Sequence, residues 1–510
     1  MFQYAIPGIE WATILPVLIV VVTGILALLF ELARPKSANG GIVAVSLFGL
    51  GVAAVYTVLG YGSPEGETFA GMALRDGFGS TIELIIIVVT ALSILFSEAY
   101  LREKRIAFGE FYPLALWAAS GAMLMATTRN LLMVFIGLEV LSIALYVLAG
   151  LSRSEEKSEE SAIKYFLLGA FASGFFLYGL AFFYGATGGL HLNGFMVAAA
   201  AHYAWTNVLL VAGLGLMLVG LSFKSGLVPF HQWIADVYQG APTNVTAFMA
   251  AVAKLGALAA LWRVLEAYSG WQATWMPAMI WVAILTMSVG NLAALVQKDV
   301  KRILGYSSIS HAGYMLVAIL AHAKSPQTVS DFALLYYLFG YSLMTIGAFA
   351  IVSLTARSGK EGTRLEDLRG LAQRSPFMAM CLVIFMFSLI GLPPTVGFVG
   401  KLLIFNAAVQ AQLMPLAIVL AINSAISTFY YLGIVWAVLG KEHGEPKPWA
   451  IAIGPRLACA ICAVGVLASA VFVGPVQGWL ADRHSNAIYG GSAMRMGTKI
   501  GNQGGTGFSR

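Results

Sequence analysis

Residues 222–233 read Ser-Phe-Lys-Ser-Gly-Leu-Val-Pro-Phe-His-Gln-Trp, and residues 391–401 read Gly-Leu-Pro-Pro-Thr-Val-Gly-Phe-Val-Gly-Lys. Both stretches place glycine, proline and a lysine inside a long apolar run, 205–239 in the first case and 376–410 in the second. Proline removes an amide hydrogen and glycine loosens the backbone, so each run predicts a helix that is broken midway. In a membrane, such a break survives only where it is buried in protein or faces water.

The composition of the chain indicates that lipid is its main solvent. Of 510 residues, 59% are hydrophobic and 11% are charged, and the mean hydropathy is +0.82. A soluble domain carries about 25% charged residues. Fourteen apolar runs are long enough to cross a bilayer, which takes about 20 residues. The sequence therefore predicts an all-α integral membrane protein with about 14 transmembrane helices.

The basic residues predict the orientation of these segments. Loops after odd-numbered segments contain 18 Lys or Arg, and loops after even-numbered segments contain four. Cytoplasmic loops are enriched in Lys and Arg, so the odd-numbered loops are predicted to be cytoplasmic and both termini periplasmic. The net charge of +6 follows from the same loops, and we do not interpret it as affinity for nucleic acid. The Gly-rich polar tail after residue 481 is expected to be disordered or bound to a partner.

Two similar breaks about 170 residues apart suggest an internal repeat. We expect an N-terminal group of three helices, a first repeat, a second repeat, a C-terminal helix and a polar tail. Their predicted bounds are 1–105, 106–270, 271–440, 441–480 and 481–510.

Four lysines fall inside apolar segments rather than in loops: Lys164, Lys224, Lys254 and Lys401. A charge at mid-membrane costs about 2.5–3.5 kcal/mol on insertion scales, and such residues usually mark ion pathways. Lys164 lies near a segment end, so snorkelling to the headgroups is an alternative for it. Glu139 is a deep carboxylate and the obvious counter-ion for Lys224, although a structural ion pair between two helices is the simpler interpretation.

Buried amines suit proton relay because burial disfavours their charged form and a nearby carboxylate favours it. Small changes in pairing then load or release a proton. His231 follows the first break and is a candidate relay partner of Lys224. His311, within Ser-Ile-Ser-His-Ala-Gly-Tyr, is polar enough to line water but could also only satisfy the backbone. Glu83 and Glu98 lie nearer the ends of the third segment, and we favour a structural role for both.

Four motifs resemble the subunit N family of proton-pumping NADH:quinone oxidoreductase, respiratory complex I. They are residues 223–233, residues 236–248 (Asp-Val-Tyr-Gln-Gly-Ala-Pro-Thr-Asn-Val-Thr-Ala-Phe), residues 301–311 (Lys-Arg-Ile-Leu-Gly-Tyr-Ser-Ser-Ile-Ser-His) and residues 391–405. The resemblance covers nearly the whole chain except the tail, and the motifs are long and specific. Asn244 departs from the family, whose members commonly have proline there.

The resemblance implies an antiporter-like fold with two inverted five-helix repeats, each containing a broken helix, around a hydrated polar axis. It implies that Glu139 and Lys224 form a central pair with Lys164 as a modulator beside them. It also implies that Lys254 is a connecting lysine and that Lys401 serves the second broken helix. The sister subunit M typically has glutamate at the last position, so Lys401 favours the N family.

The resemblance further implies an inner (plasma) membrane translocase subunit that works with the other membrane and peripheral subunits of complex I. The chain has no nucleotide loop, cysteine cluster or flavin motif, so we expect no cofactor in it. NAD, FMN, iron–sulfur clusters and quinone are implied on partner subunits. Three alternatives stay open: a subunit of a multisubunit cation/proton antiporter, a ferredoxin- or F420-linked relative, and a non-conducting scaffold.

Overall fold

A computed structural model describes residues 8–33, 40–61, 63, 66–106, 109–195, 204–326, 328–356, 361–441, 451–475 and 477–478. The predicted polar tail lies outside the described residues. Within them the chain is almost entirely helical. The helices are α1 (Trp11–Ala33), α2 (Gly40–Gly60), α3 (Gly77–Lys104), α4 (Phe111–Ala126), α5 (Leu131–Ala149), α6 (Glu156–Thr187), α7 (Ala204–Ser225), α8 (Trp233–Gly240), α9 (Thr243–Ala267), α10 (Gln272–Leu295), α11 (Val300–Lys324), α12 (Thr328–Val352), α13 (Pro376–Ile390), α14 (Val396–Gln410), α15 (Met414–Leu439) and α16 (Ile453–Val471).

The prediction of an all-α membrane protein is confirmed. Over the described residues, 12 helices are long and apolar enough to cross a bilayer. The shorter α4 adds one segment, and α13 with α14 form another, so all fourteen predicted segments are present as helices. A helix of about 20 residues is about 30 Å long, which matches the hydrocarbon thickness.

Helices α9, α11 and α12 form the centre of the bundle. The most apolar window of α9 is entirely buried by other helices, and that of α11 is 94% buried, whereas those of α1, α2, α6, α10 and α15 are 39% buried. An apolar sequence is compatible with burial by lipid and with burial by other helices. The central position of α9, α11 and α12 is therefore set by helix packing. It places Lys254 and His311, on α9 and α11, at the core.

The two predicted breaks share one backbone geometry. Helix α7 ends where the amides of Gly226 and Leu227 both donate to the Ser222 carbonyl, and α13 ends where those of Gly391 and Leu392 both donate to the Phe387 carbonyl. Gly226 and Gly391 have φ of 79° and 93°, a left-handed conformation in which glycine avoids the steric cost of a Cβ. Each break therefore begins with the same glycine-terminated helix end.

A small hairpin lies outside the helical bundle, before α3. Strand β1 (Gly66–Thr68) pairs antiparallel with β2 (Ala73–Arg75), with Gly66 opposite Arg75 and Thr68 opposite Ala73. The hairpin leads directly into Asp76, which caps α3 by accepting from the Gly79 amide at 2.7 Å. It thereby fixes where the third helix enters the bundle.

Asp76 also holds a buried arginine. Nη1 and Nη2 of Arg263 donate to its two carboxylate oxygens at 2.8 Å each, and Arg263 Nε donates to the Ala126 carbonyl at 2.8 Å. Burial raises the pKa of the Asp76 carboxyl, but the Arg263 and Arg129 charges and the Gly79 amide outweigh burial and hold the pKa below its usual range. The stability from this pair is therefore present above the unfolded-state pKa and is lost as pH falls through the lower folded-state pKa.

Replacing Arg263 with methionine should destabilise the bundle. The substitution leaves the buried Asp76 carboxylate without its bidentate partner, which costs about 3–5 kcal/mol for a buried pair. We expect a clearly lower thermal denaturation temperature of the purified protein. Lys324→Met, at an exposed position near the end of α11, is the matched control and should leave that temperature unchanged. Equal temperatures for the two variants would contradict a clamping role for Arg263.

Candidate functional site

Lys224 lies one residue before the end of α7, where the first break begins. Its side chain is buried, and its Nζ donates to Ser142 Oγ at 2.7 Å and to Tyr165 OH at 2.9 Å. The ammonium also lies over the rings of Tyr165 and Tyr146, at 4.9 and 5.6 Å from their centroids. Hydroxyl groups and aromatic rings thus stabilise the positive charge of this amine.

Glu139 stands one helical turn before Ser142 on α5. Within the described residues, neither of its oxygens comes within 4.0 Å of Lys224 Nζ, whose hydrogen-bond partners there are Ser142 and Tyr165. Its Oε1 is buried and accepts no hydrogen bond from any residue that the structure describes. The predicted counter-ion is therefore a near neighbour of Lys224 but not its contact partner in this structure.

Lys254 lies on α9 directly after a π-helical stretch, Met249–Ala253. Its Nζ donates to the Ser308 carbonyl of α11 and lies 5.8 Å from the centroid of the Tyr341 ring. A Cβ built on Gly226 would stand 3.9 Å from this Nζ, so Lys254 sits beside the first break. The break therefore brings the second buried amine close to the end of the helix that carries Lys224.

His311 is enclosed by tyrosines. Its Nδ1 lies 2.8 Å from Tyr337 OH and its Nε2 lies 3.0 Å from Tyr431 OH. A neutral imidazole has one donor and one acceptor nitrogen, so one tyrosine hydroxyl donates to the ring and the other accepts from it. Exchange between the two tautomers would reverse the direction of both bonds.

Lys401 lies on α14, after the second break, and its side chain reaches back to that break. Nζ donates to the carbonyls of Leu389 and Ile390 at 2.9 and 2.8 Å, and to Ser424 Oγ at 2.8 Å. The last carbonyls of a helix lack an intrahelical partner, so this amine caps the end of α13. Lys401 thus completes the broken helix as well as carrying a buried charge.

Tyrosines connect His311 to the two lysines beside it. The ring centroid of Tyr341 lies 5.2 Å from that of His311 and 5.8 Å from Lys254 Nζ. The Tyr314 centroid lies 5.4 Å from that of His311 and 5.2 Å from Lys401 Nζ. Lys254, His311 and Lys401 therefore belong to one contiguous polar cluster inside the bundle.

Lys164 occupies a different environment. Its side chain is 43% exposed, and its Nζ contacts Glu160 at 2.6 Å and Asp236 at 3.0 Å. The other Asp236 oxygen accepts from Arg302 at 2.7 Å. These pairs tie α6, α8 and α11 together, which places Lys164 on the rim of the site.

His231 follows the first break in the turn before α8 and is half-buried. Its Nδ1 is buried and has no hydrogen-bond partner among the described residues. The predicted contact with Lys224 is therefore absent from the described hydrogen bonds, and a relay role for His231 stays a prediction.

The sequence did not single out several members of this site. Tyr165, Tyr337, Tyr341, Tyr431 and Ser142 surround the amines and the imidazole, yet tyrosine and serine are common in apolar segments and disturb hydropathy little. Their signal is that they cluster around Lys224 and around His311, and this clustering becomes visible only when the helices meet. The π-helical turn before Lys254 has no sequence signature either.

The described residues contain no group of three or more His, Cys, Asp or Glu side chains suited to a metal ion. Cys381, Cys459 and Cys462 are buried free thiols.

The class of protein follows from this fold and from family comparison. A family model described as NADH:quinone oxidoreductase/Mrp antiporter, TM, matches residues 128–427. A chain of the Mrp complex from Dietzia sp. shares the fold with a TM-score of 0.81 over 94% of this chain and 97% of that one, at 21% identity. The chain therefore has the fold of the antiporter-like membrane subunits.

Closer relatives identify the family within that class. NADH-quinone oxidoreductase subunit N of Trichlorobacter lovleyi is 39% identical over 456 residues, which cover 89% of this chain and 93% of the relative. A chain of respiratory complex I from Thermus thermophilus is 37% identical, with a TM-score of 0.77 over 91% of this chain and 98% of that one. The chain belongs to the NADH-quinone oxidoreductase subunit N family, as its motifs indicate.

Tyr337→Phe should slow coupled turnover of the assembled enzyme severalfold. The substitution removes one of the two hydroxyls on His311 and leaves a buried ring nitrogen unpaired, at a cost of about 1–3 kcal/mol. The measurement is NADH:quinone reductase activity together with proton uptake in sealed vesicles. Tyr336→Phe is the matched control because that neighbouring hydroxyl donates to the Ser469 carbonyl at 3.0 Å. If both variants kept wild-type rates, His311 would not be a relay.

Proposed function

We propose that this chain is a proton-translocating membrane subunit of NADH:quinone oxidoreductase, and that protons move along the axis of Glu139, Lys224, Lys254, His311 and Lys401. One observation carries the proposal. Within the described residues, the amines of Lys224, Lys254 and Lys401 are buried in one bundle and none forms an ion pair with a carboxylate. They meet hydroxyls, carbonyls and aromatic rings instead.

An unpaired buried amine is a poised proton carrier. Its charged form lacks a full counter-charge, so the balance between charged and neutral forms responds to small movements of a carboxylate or a hydroxyl. Moving one charge against 100 mV takes about 2.3 kcal/mol, which is within the range of such changes. A displacement of Lys224 relative to Glu139, driven by neighbouring subunits, would load or release its proton.

Two buried polar atoms mark where water would join the axis. Glu139 Oε1 and Ser225 Oγ, beside Lys224, have no hydrogen-bond partner among the residues described. Buried polar atoms normally bind protein or ordered water. Ser225 lies at the first break, and Glu139 stands one helical turn before Ser142, which contacts Lys224. Water there would connect Glu139 to Lys224. Lys164, held at the rim by Asp236, would modulate that step rather than carry protons itself.

The repeat and the orientation extend the proposal. We assign the first repeat to 106–270 and the second to 271–440, each with one of the two breaks, and the remaining bounds as the sequence predicts. The charge bias of the loops supports cytoplasmic odd-numbered loops and periplasmic termini, in the bacterial inner membrane. Because each repeat crosses the membrane five times, with its broken helix counted as one crossing, the two repeats then lie in opposite orientations.

The redox chemistry belongs to partner subunits in this proposal. NADH oxidation with FMN and iron–sulfur clusters, and quinone reduction, would take place outside this chain, which contributes the proton path. The likeness to an Mrp complex concerns the fold alone at 21% identity, whereas identity near 39% to subunit N relatives favours the oxidoreductase. A ferredoxin- or F420-linked complex is the alternative, because the proposed proton path fits a membrane subunit of either kind of complex.

Lys224→Ala in the assembled enzyme tests the proton axis. In tightly sealed vesicles, we expect normal assembly, a coupled quinone reductase rate at least about tenfold lower and correspondingly slower proton uptake. Lys298→Met, at an exposed loop position, is the control for loss of a positive charge. Wild-type turnover and wild-type pumping per electron in Lys224→Ala would remove Lys224 from the path and favour a scaffold.

Cysteine labelling tests the orientation. The native thiols are buried, so Ser154→Cys after α5 and Lys324→Cys at the last residue of α11 would each place a thiol at an exposed position. Segment counting assigns the loop after α5 to the cytoplasm and the end of α11 to the periplasm. A membrane-impermeant maleimide added to intact cells should label the Lys324→Cys protein and leave the Ser154→Cys protein unlabelled. The reverse pattern would invert the topology.

A further inference from the structure

Helix α3 carries polar residues at every seventh position from one end to the other. They are Asp76 at its N-cap, then Glu83, Thr90, Ser97 and Lys104, and the four within the helix are all buried. Seven residues are nearly two turns, so these side chains follow one slowly winding face of the helix. The column spans about 42 Å at 1.5 Å per residue and lies outside the lysine axis described above.

Both ends of this column are held by ion pairs. Asp76 binds Arg263 at 2.8 Å. Lys104 contacts Glu155 at 2.6 Å and Glu361 at 3.7 Å. These ion pairs hold α3 against the two repeats, so the charged residues at both ends of the column have a structural role. They leave Glu83 as the one carboxyl inside the column.

Glu83 is buried without a cation. Its side chain is 4% exposed, and within the described residues no Lys, Arg or His nitrogen lies within 4.0 Å of it. Its Oε1 has no hydrogen-bond partner there, and its Oε2 lies 3.1 Å from Thr57 Oγ1 of α2. An ionised carboxylate in such surroundings would cost several kcal/mol.

The hydrogen-bond count around Thr57 favours a protonated Glu83. Thr57 Oγ1 also lies 3.1 Å from the Ala53 carbonyl, which can only accept. A hydroxyl has one hydrogen and two lone pairs, so if that hydrogen goes to Ala53 the hydroxyl can only accept from Glu83. A protonated Glu83 supplies the second hydrogen, so that Thr57 Oγ1 can donate to Ala53 and accept from Glu83 at the same time. With Glu83 ionised, the single Thr57 hydroxyl hydrogen serves either the Ala53 carbonyl or the Glu83 carboxylate.

Among the described residues, no charged or titratable side chain on the helices packed against α3 forms a hydrogen bond or an ion pair with Glu83. Several of these groups contact other partners: the Tyr61 hydroxyl lies 2.8 Å from Thr81 Oγ1, Lys254 donates to the Ser308 carbonyl, Arg263 binds Asp76 and Asp331 contacts His322. The others on these helices include Tyr112, Tyr341 and Glu266, which are not bonded to Glu83, and Arg456, which is exposed. Thr57 is therefore the described side chain that is hydrogen-bonded to Glu83.

We propose that Glu83 is a proton-binding site, separate from the lysine axis, that exchanges its proton with the side of the membrane where α3 begins. Glu83 is six residues from Gly77, a depth of about 9 Å, and 21 residues from Lys104, about 31 Å from the other end. The hydroxyls of Thr57, Tyr61 and Thr81 lie in the same end of the bundle. The short distance and these hydroxyls favour exchange through the first turns of α3.

Dicyclohexylcarbodiimide, an apolar reagent for protonated carboxyls, tests the site in the assembled enzyme in sealed vesicles. The Glu83 proton moves to a carbodiimide nitrogen while the carboxyl oxygen bonds to the central carbon, and rearrangement gives a stable N-acylurea without a leaving group. Peptide mass spectrometry should find this adduct on Glu83. Labelling should fall at least about tenfold when the pH on the α3 N-terminal side is raised from about 6 to about 9. The same rise in pH on the opposite side of the membrane should leave labelling unchanged.

Variants of Glu83 and of its hydroxyl partner test the contact that holds the proton. Glu83→Gln should lose the adduct. Thr57→Val should label faster because the Glu83 hydroxyl loses its acceptor, and Thr57→Ser should restore the wild-type rate. Glu98, which contacts Arg102 at 2.5 Å on the same helix, is the internal control and should stay unlabelled. An unlabelled Glu83 in correctly assembled enzyme, or labelling indifferent to pH on the α3 N-terminal side, would overturn the proposal.

One further comparison tests whether the site is independent of the lysine axis. Lys224→Ala, expected to stop proton transfer along that axis, should leave Glu83 labelling and its pH response unchanged. Loss of labelling in that variant would place Glu83 on the lysine axis and refute a separate site.

Discussion

A helix that stops inside a membrane leaves carbonyl groups for which lipid offers no hydrogen, and the functional site is built around that constraint. At the second break the Lys401 ammonium donates to the Leu389 and Ile390 carbonyls, so one cation completes a backbone that apolar side chains could not. At the first break the Gly226 and Leu227 amides turn back to the Ser222 carbonyl, and Lys254 Nζ stands beside the glycine. Each break therefore places a buried amine next to the end of a helix.

This arrangement explains why the amines are tolerated without carboxylate partners. Hydroxyls, carbonyls and tyrosine rings surround each ammonium and stabilise its charge. These contacts stabilise the charged form of each amine without holding it in a short ion pair. Lys164 shows the contrast, because Glu160 and Asp236 hold it in direct ion pairs at the rim. The same residue type thus has two roles according to its partners.

The sequence predicted the architecture well because hydropathy and charge bias are local properties. Fourteen segments, two broken helices and the buried positions of Lys224, Lys254 and Lys401 could all be read from the order of residues, and the long motifs around the breaks indicated the family. The ion pair expected between Glu139 and Lys224 could not be predicted reliably, since a contact depends on two helices meeting at a particular height. Glu83 was interpreted as structural because it lies near the end of its predicted segment. That no cation pairs with it became visible only when the neighbouring helices were in place.

By itself, the sequence determined which segments enter the membrane, where two of them break and which residue types are buried there. The reason is that transfer of a segment from water to lipid depends on its own side chains. Only the tertiary structure decided which groups solvate each amine, that tyrosines from three helices surround His311 and that Lys401 caps the end of the helix before its own. Those outcomes depend on side chains from separate helices, and hydrogen bonds act only at contact distance.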